Sequence, residues 1–191
     1  MPTKAAHTRS TILDHAADRA SLEGLEGLTI GSLASEMRMS KSGLFAHFGS
    51  KEELQLAVVA HAAQRFAGEV VVPAQQAPEG AQRLRAYCER YLDYLDAKVF
   101  AGGCFWAAAA AEFDDRPGAV REAIAGGVRA WLGELERQAE LAGVQRPAEL
   151  AFEIYSLGLG ANVSARLLRD ERAFASVRAM VERALADAAV R

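Results

Sequence analysis

"MSKSGLFAHFGSKEEL", residues 39–54, decides how the chain folds. After Met39 it runs Ser40, Lys41, Ser42 and Gly43, passes through an apolar and aromatic centre, and closes with Gly-Ser-Lys-Glu-Glu before Leu54. The front is too short and too polar for an ordinary core helix. Leu44 and Phe48 nevertheless share one helical face and anchor it. Ser40 suits the N-cap of a short helix over 41–48, and Gly49 suits its stop. Ser50 with Glu53 makes a capping box that opens a longer helix to about residue 70.

On the N-terminal side, Ile12, Leu13, Ala16, Ala17 and Ala20 recur at helical spacing over 9–22, and Gly24 and Gly27 break that helix. Thr29 can cap a second short helix over about 30–37, where Ile30, Leu33, Ala34 and Met37 form one face. Three helices, the last two short and joined by a tight turn, describe a helix-turn-helix. The third then exposes Lys41, Ser42, Gly43, Ala46 and His47. Small residues let its backbone approach a major groove, and Lys41 and Ser42 can reach base edges or phosphates. Its N-terminus favours a phosphate. Lys51 opens the next helix, close enough to clamp a DNA backbone.

On the C-terminal side, Pro73 and Pro78 flank a polar connector. Leu84, Tyr87, Cys88, Tyr91, Leu92 and Leu95 follow at helical spacing. Gly102-Gly103 opens CFWAAAAAEF, and Arg116-Pro117-Gly118 separates it from a helix that Gly143 ends. Pro147 opens another helix to about Arg169, and Asp170 caps the last. The fold class read here is all-α with about nine helices. The chain is 51% hydrophobic and 25% charged, enough for a real core. It has no apolar run long enough to span a bilayer and no apolar signal core, so a cytoplasmic protein without a membrane partner is expected.

The net charge of −3 gives no hint of nucleic acid. Residues 1–54 set Lys4, Arg9, Arg19, Arg38, Lys41 and Lys51 against Asp14, Asp18, Glu23, Glu26, Glu36, Glu52 and Glu53. Binding therefore needs cations gathered on one face, with Lys4, Arg9, Lys41 and Lys51 as candidates, and a shallow salt dependence. Cys88 and Cys104 have no CxxC and no neighbouring His, which excludes a zinc pattern and a disulfide framework. They read as small buried hydrophobes, with Cys104 the better candidate for redox chemistry. His7, His15, His47 and His61 are scattered. No nucleophile–base pair, metal cluster or Gly-rich phosphate loop is present, so no enzyme, cofactor or metal is expected.

"LTIGSLASEMRMSKSGLFAHFGSKEEL", residues 28–54, resembles the DNA-binding domain of the TetR family of transcriptional regulators. Leu28-Thr29, Ala34, Met39-Ser40, Leu44-Phe45, His47-Phe48 and Ser50-Lys51 carry the likeness. "GGCFWAAAAAEFDDRPGAVREAI", residues 102–124, is similar to a segment of one TetR subgroup. The resemblance implies a DNA-binding domain over 1–54 and a ligand-binding and dimerisation domain over 55–191. It implies contacts with double-stranded DNA from Thr29, Lys41, Ser42, Gly43, Phe45, His47 and Lys51. His47 alone would be an ordinary surface histidine, and Thr29, Ser40 and Ser50 are caps first. Two positions depart from the pattern. Phe45 replaces a Tyr, which removes a hydroxyl–phosphate bond worth ~1 kcal/mol. Arg38 stands where the turn usually has Gly, a position of positive φ.

Beyond residue 80, large aromatics alternate with the small run Ala107–Ala111. Large side chains facing small ones can leave a cavity, and the family holds an inducer pocket in this domain. The candidate lining is Tyr87, Tyr91, Cys104, Phe105, Trp106, Phe113, Trp131, Phe152 and Tyr155. The last two helices carry more apolar surface than a terminal hairpin needs. In the family they pair with their copies in a twofold bundle, which makes Leu157, Ala161, Phe174, Val177 and Val181 candidates for a homodimer interface. Such a dimer sets two recognition helices ~34 Å apart over a palindrome. The expected function is a ligand-responsive regulator, most often a repressor in this family. A small-molecule inducer releases it by shifting the 50–72 helix. A ligand-independent DNA-binding protein, or a small all-α enzyme or carrier, are the alternatives.

Overall fold

The computed structural model describes residues 4–189, and all regular structure among them is helical. Helices α1 (Lys4–Glu23), α2 (Ile30–Glu36) and α3 (Lys41–Phe48) precede a long α4 (Lys51–Phe66). The backbone of α4 continues through a π-helical turn (Ala67–Val71) and a last α turn (Val72–Ala74). Helices α5 (Ala81–Asp96), α6 (Phe105–Phe113), α7 (Ala119–Leu141), α8 (Pro147–Leu167) and α9 (Ala173–Ala189) complete the described residues. This is the all-α arrangement expected.

Local chemistry explains most boundaries. Gly24 (φ +91°) ends α1, Gly49 (φ +69°) ends α3 and Gly143 (φ +79°) ends α7. Pro147 occupies the first turn of α8, where its missing N–H is not needed. The helical run passes its expected end near residue 70 and includes Pro73, and the polar connector that Pro73 flanks follows as a turn at 75–77. The helical turn before Pro73 widens, and the Val72 N–H bonds to the Ala67 carbonyl, five residues back. That extra residue relieves the clash a proline ring makes with a preceding carbonyl.

The residues form two compact units. The first gathers the chain up to Arg65 with Phe100–Gly126. Its core is Ile12, Ala16 and Ala20 of α1, Leu33 and Ala34 of α2, Leu44 and Phe48 of α3, and Leu54 and Val58 of α4, all buried. The segment before α6 lies directly on α1. A Cβ on Gly102 would sit 1.9 Å from the Ser21 carbonyl oxygen, so only glycine fits. The Gly102 N–H donates to Ser21 Oγ at 2.8 Å and the Ala101 N–H to Asp18 Oδ1 at 3.2 Å.

The second unit holds Phe66–Val99 and Gly127–Arg191. Helix α5 buries Leu84, Tyr87, Cys88, Tyr91, Leu92 and Leu95, the face expected from its spacing. Helices α8 and α9 pack along each other, and α8 also packs on α5. Gly158 permits that second contact, because a Cβ there would sit 2.3 Å from the Tyr91 ring.

Candidate nucleic-acid interface

Two side-chain caps set the start of the helix-turn-helix. Thr29 Oγ1 accepts the Ser32 N–H at 3.1 Å and opens α2. Ser40 Oγ accepts the Gly43 N–H at 3.0 Å and opens α3. Between them Arg38 takes φ 54°, the left-handed conformation its place in the turn demands. The Met39 N–H then returns to the Ala34 carbonyl at 2.9 Å and closes the turn. Gly43 has a local reason to be glycine, since its Cβ would lie 2.9 Å from Ser40 Oγ and disturb the cap. Half of the expected capping box forms. Ser50 Oγ accepts the Glu53 N–H at 3.0 Å, while the Ser50 N–H bonds to the Phe48 carbonyl.

With Leu44 and Phe48 buried, α3 turns Lys41, Ser42, Phe45 and Ala46 to the outside. Phe45 is 54% exposed, large for an aromatic side chain with no apolar cover. Gly43 and His47 are half-buried, and Thr29 is exposed. The Arg9 guanidinium stacks over the Phe48 ring at 4.6 Å, which brings a cation to the end of α3. Six of the seven predicted contact residues thus lie on α3 or at the cap of α2, and Lys51 opens α4. The Lys4 side chain lies outside the described residues.

Several acids of this unit are paired. Glu36 binds His15 at 2.9 Å and Arg19 at 3.2 Å. His61 binds Asp14 at 2.8 Å. Glu26 accepts from Lys51 Nζ at 2.6 Å and from Gln55 Nε2 at 3.2 Å. The Lys51 bond holds the Glu26 carboxyl below the ordinary glutamate value, with Gln55 assisting. Lys41 and Arg38 remain exposed beside the outer face of α3. Glu52 and Glu53 are exposed just beyond α3, so the segment stays near neutral there as well. The Lys51–Glu26 pair spans 25 residues, and no periodicity in the sequence signals it.

The predicted ligand-pocket residues fall into both compact units. In the second, Tyr87, Tyr91 and Trp131 form one aromatic cluster with Phe66 and Tyr94, ring centroids 5.1–6.4 Å apart. Tyr87 donates to Glu134 Oε1 at 2.9 Å, and burial, with that carboxylate, pushes its phenol up to about 12. The Trp131 indole N–H is buried there without a hydrogen-bond partner in the protein. Cys104, Phe105, Trp106 and Phe113 belong to the first unit, where Phe105 meets Phe100 and Trp106. Phe152 is 64% exposed on α8 and Tyr155 is half-buried. Burial pushes the Cys88 thiol up to about 12, which leaves it unreactive.

Of the predicted dimer residues, Ala161, Phe174, Val177 and Val181 are buried within the protomer and Leu157 is half-buried. The exposed apolar side chains of the hairpin are others: Phe152, Val163, Leu167, Leu168 and Met180. Phe152, Ser156, Gly160, Val163 and Leu167 follow one face of α8 at helical spacing. A shallow groove of about 530 Å³ runs beside that face, and Phe152 and the predicted dimer residues Leu157, Ala161 and Val177 line it together with small residues such as Ser156 and Gly160. The period of this stripe was present in the sequence, but Gly and Ser interrupt it and mask its apolar character.

Comparison with known proteins agrees with this geometry. The family described as "Bacterial regulatory proteins, tetR family" matches residues 12–58, and "Tetracyclin repressor-like, C-terminal domain" matches residues 80–181. No curated protein matches the chain significantly in sequence. Among solved structures, a TetR-family transcriptional regulator from Cytophaga hutchinsonii is 21% identical, with a TM-score of 0.85 over 100% of this chain and 99% of that one. A TetR transcriptional regulator from Chloroflexus aurantiacus is 24% identical, with a TM-score of 0.81 over 93% of each chain. AibR, solved with isovaleryl coenzyme A and operator DNA, is 24% identical, with a TM-score of 0.71 over 91% of this chain and 97% of that one. With a helix-turn-helix of this geometry and both halves of the family pattern in one chain, the protein belongs to the tetR family of transcriptional regulators.

Proposed function

We propose that the protein is a homodimeric repressor that binds a palindromic operator and leaves it when a small-molecule inducer binds. The observation that carries this reading is the outer face of α3, where Lys41, Ser42 and Phe45 are exposed while Leu44 and Phe48 anchor the helix. Lys41 and Ser42 can reach base edges or phosphates, and Thr29, Gly43, His47 and Lys51 flank them. Phe45 offers apolar contact to a thymine methyl or a sugar. The DNA-binding domain spans 1–54, and 55–191 serve ligand binding and dimerisation. The cytoplasm is the compartment in which this activity would operate.

A module with so few free cations needs two copies to bind tightly. The stripe of Phe152, Val163 and Leu167 on α8 supplies an apolar face for the second copy. The aromatic cluster around Trp131 favours an inducer with apolar or aromatic character. The related fold of AibR, solved with both an acyl coenzyme A and operator DNA, supports a fold that accommodates both kinds of partner. Selection from a random DNA pool tests the proposal. The expected product is a palindrome whose half-sites are centred one helical turn, ~34 Å, apart. Enrichment of no sequence, or of a single asymmetric site, would refute the dimeric operator reading.

A further inference from the structure

The turn between α1 and α2 is gripped from both sides by residues remote in sequence. Glu112, near the end of α6, accepts the Leu25 N–H at 2.6 Å on Oε2 and the Glu26 N–H at 3.1 Å on Oε1. One carboxylate thus satisfies two consecutive amides left over where α1 stops. The fit is close, since a Cβ on Gly24 would sit 2.6 Å from Glu112 Oε1. From the other side, buried Gln55 of α4 donates to the Leu25 carbonyl at 2.9 Å and to Glu26 Oε2 at 3.2 Å. Lys51 Nζ donates to Glu26 Oε1 at 2.6 Å, and Arg116 stands 4.0 Å from the same carboxylate. Two turn residues therefore connect α6 to the first turn of α4.

We propose that Glu112 is a positioning residue for DNA binding, acting through the Leu25–Glu26 turn to hold Lys51 where a phosphate meets it. The inference rests on the proposed role of Lys51 at the interface. An ammonium has three donors, so a lysine bonded to Glu26 keeps two for a phosphate. Its side chain is 41% exposed, which leaves room for that contact. A lysine already held in place loses less rotamer freedom on binding than one on a free stem. Without the Glu112 carboxylate, two amides lose their acceptor. The turn then moves to recover hydrogen bonds from water, and Glu26 carries the Lys51 anchor with it. Glu112 touches no DNA in this scheme.

A double-mutant cycle on operator affinity tests it, at a temperature where melting curves show every variant folded. Glu112→Ala is expected to weaken operator binding about three- to tenfold. In a Lys51→Ala background the same change is expected to cost less than about twofold, because the residue it acts through is gone. Glu112→Gln, which keeps one acceptor for two amides, is expected to fall between Ala and wild type. It serves as the graded variant if Ala unfolds the turn. Equal losses in both backgrounds, or no loss from Glu112→Ala where Lys51→Ala weakens binding, would overturn the inference and leave the interface standing. If wild type itself does not prefer operator over scrambled DNA, the interface reading falls and takes this one with it.

Discussion

Helices α3 and α8 each leave one face uncovered, and the two faces differ in kind. Over its eight residues α3 exposes Lys41, Ser42 and Ala46, with Phe45 the one large apolar group. Over its 21 residues α8 exposes Phe152, Val163 and Leu167 at one helical period. A polar, cationic, small-residue face suits a phosphate-lined groove, where direct and water-mediated hydrogen bonds do the recognising. An apolar face on a long helix is stabilised by removal from water, which a second copy of the chain would provide in the proposed dimer. The proposed function assigns the first face to nucleic acid and the second to a second copy of the chain, and substitutions can address each face in turn.

The largest effect is expected from the anchor beneath the first face. Leu44 is fully buried, and Leu44→Ala should lower unfolding stability by about 2–5 kcal/mol in denaturant titration. Next comes the second face. Phe152→Glu with Leu167→Glu should yield folded monomers by sedimentation at concentrations where wild type is dimeric. Loss of the second recognition helix should then weaken operator binding more than about tenfold. A dimer that survives both charges would place the self-association surface elsewhere. Smaller is the cap of α3, where Ser40→Ala should cost about 1 kcal/mol in thermal or chemical unfolding.

Smallest is an acid effect. Glu26 titrates below its ordinary value chiefly because of the Lys51 hydrogen bond. A depressed folded pKa gives stability that is present above the unfolded value, about 4.3, and is lost as pH falls through the folded value. Stability profiles of wild type and Glu26→Gln should therefore run parallel from pH 7 to 5. They should converge only in more acid solution. Divergence above pH 5 would assign the difference to another group.

The same contrast separates what could be read in the sequence from what could not. Caps couple residues three apart, so Thr29 with Ser32 and Ser40 with Gly43 were legible from order alone. The positive φ of Arg38 was expected only from the family resemblance, in which that position usually holds a Gly. Glu112, by contrast, meets Leu25 across 87 residues, and only the packing of α6 brings it there. The aromatics beyond residue 80 fall into separate compact units because composition carries no information about long-range partners. On α8 and α9 the period of the apolar residues was clear, but not which of them the hairpin itself covers. Ala161 and Val177 go inside, while Phe152 and Leu167 stay out.

The most direct measurement is an anisotropy titration of a selected operator at two salt concentrations, with wild type and a Lys41→Ala/His47→Ala double variant. Wild type should bind specifically, with affinity that falls as salt rises. The double variant should bind at least about tenfold more weakly, with a shallower salt dependence. Equal affinity and equal salt dependence for both proteins would contradict the assignment of α3 as the helix that reads DNA.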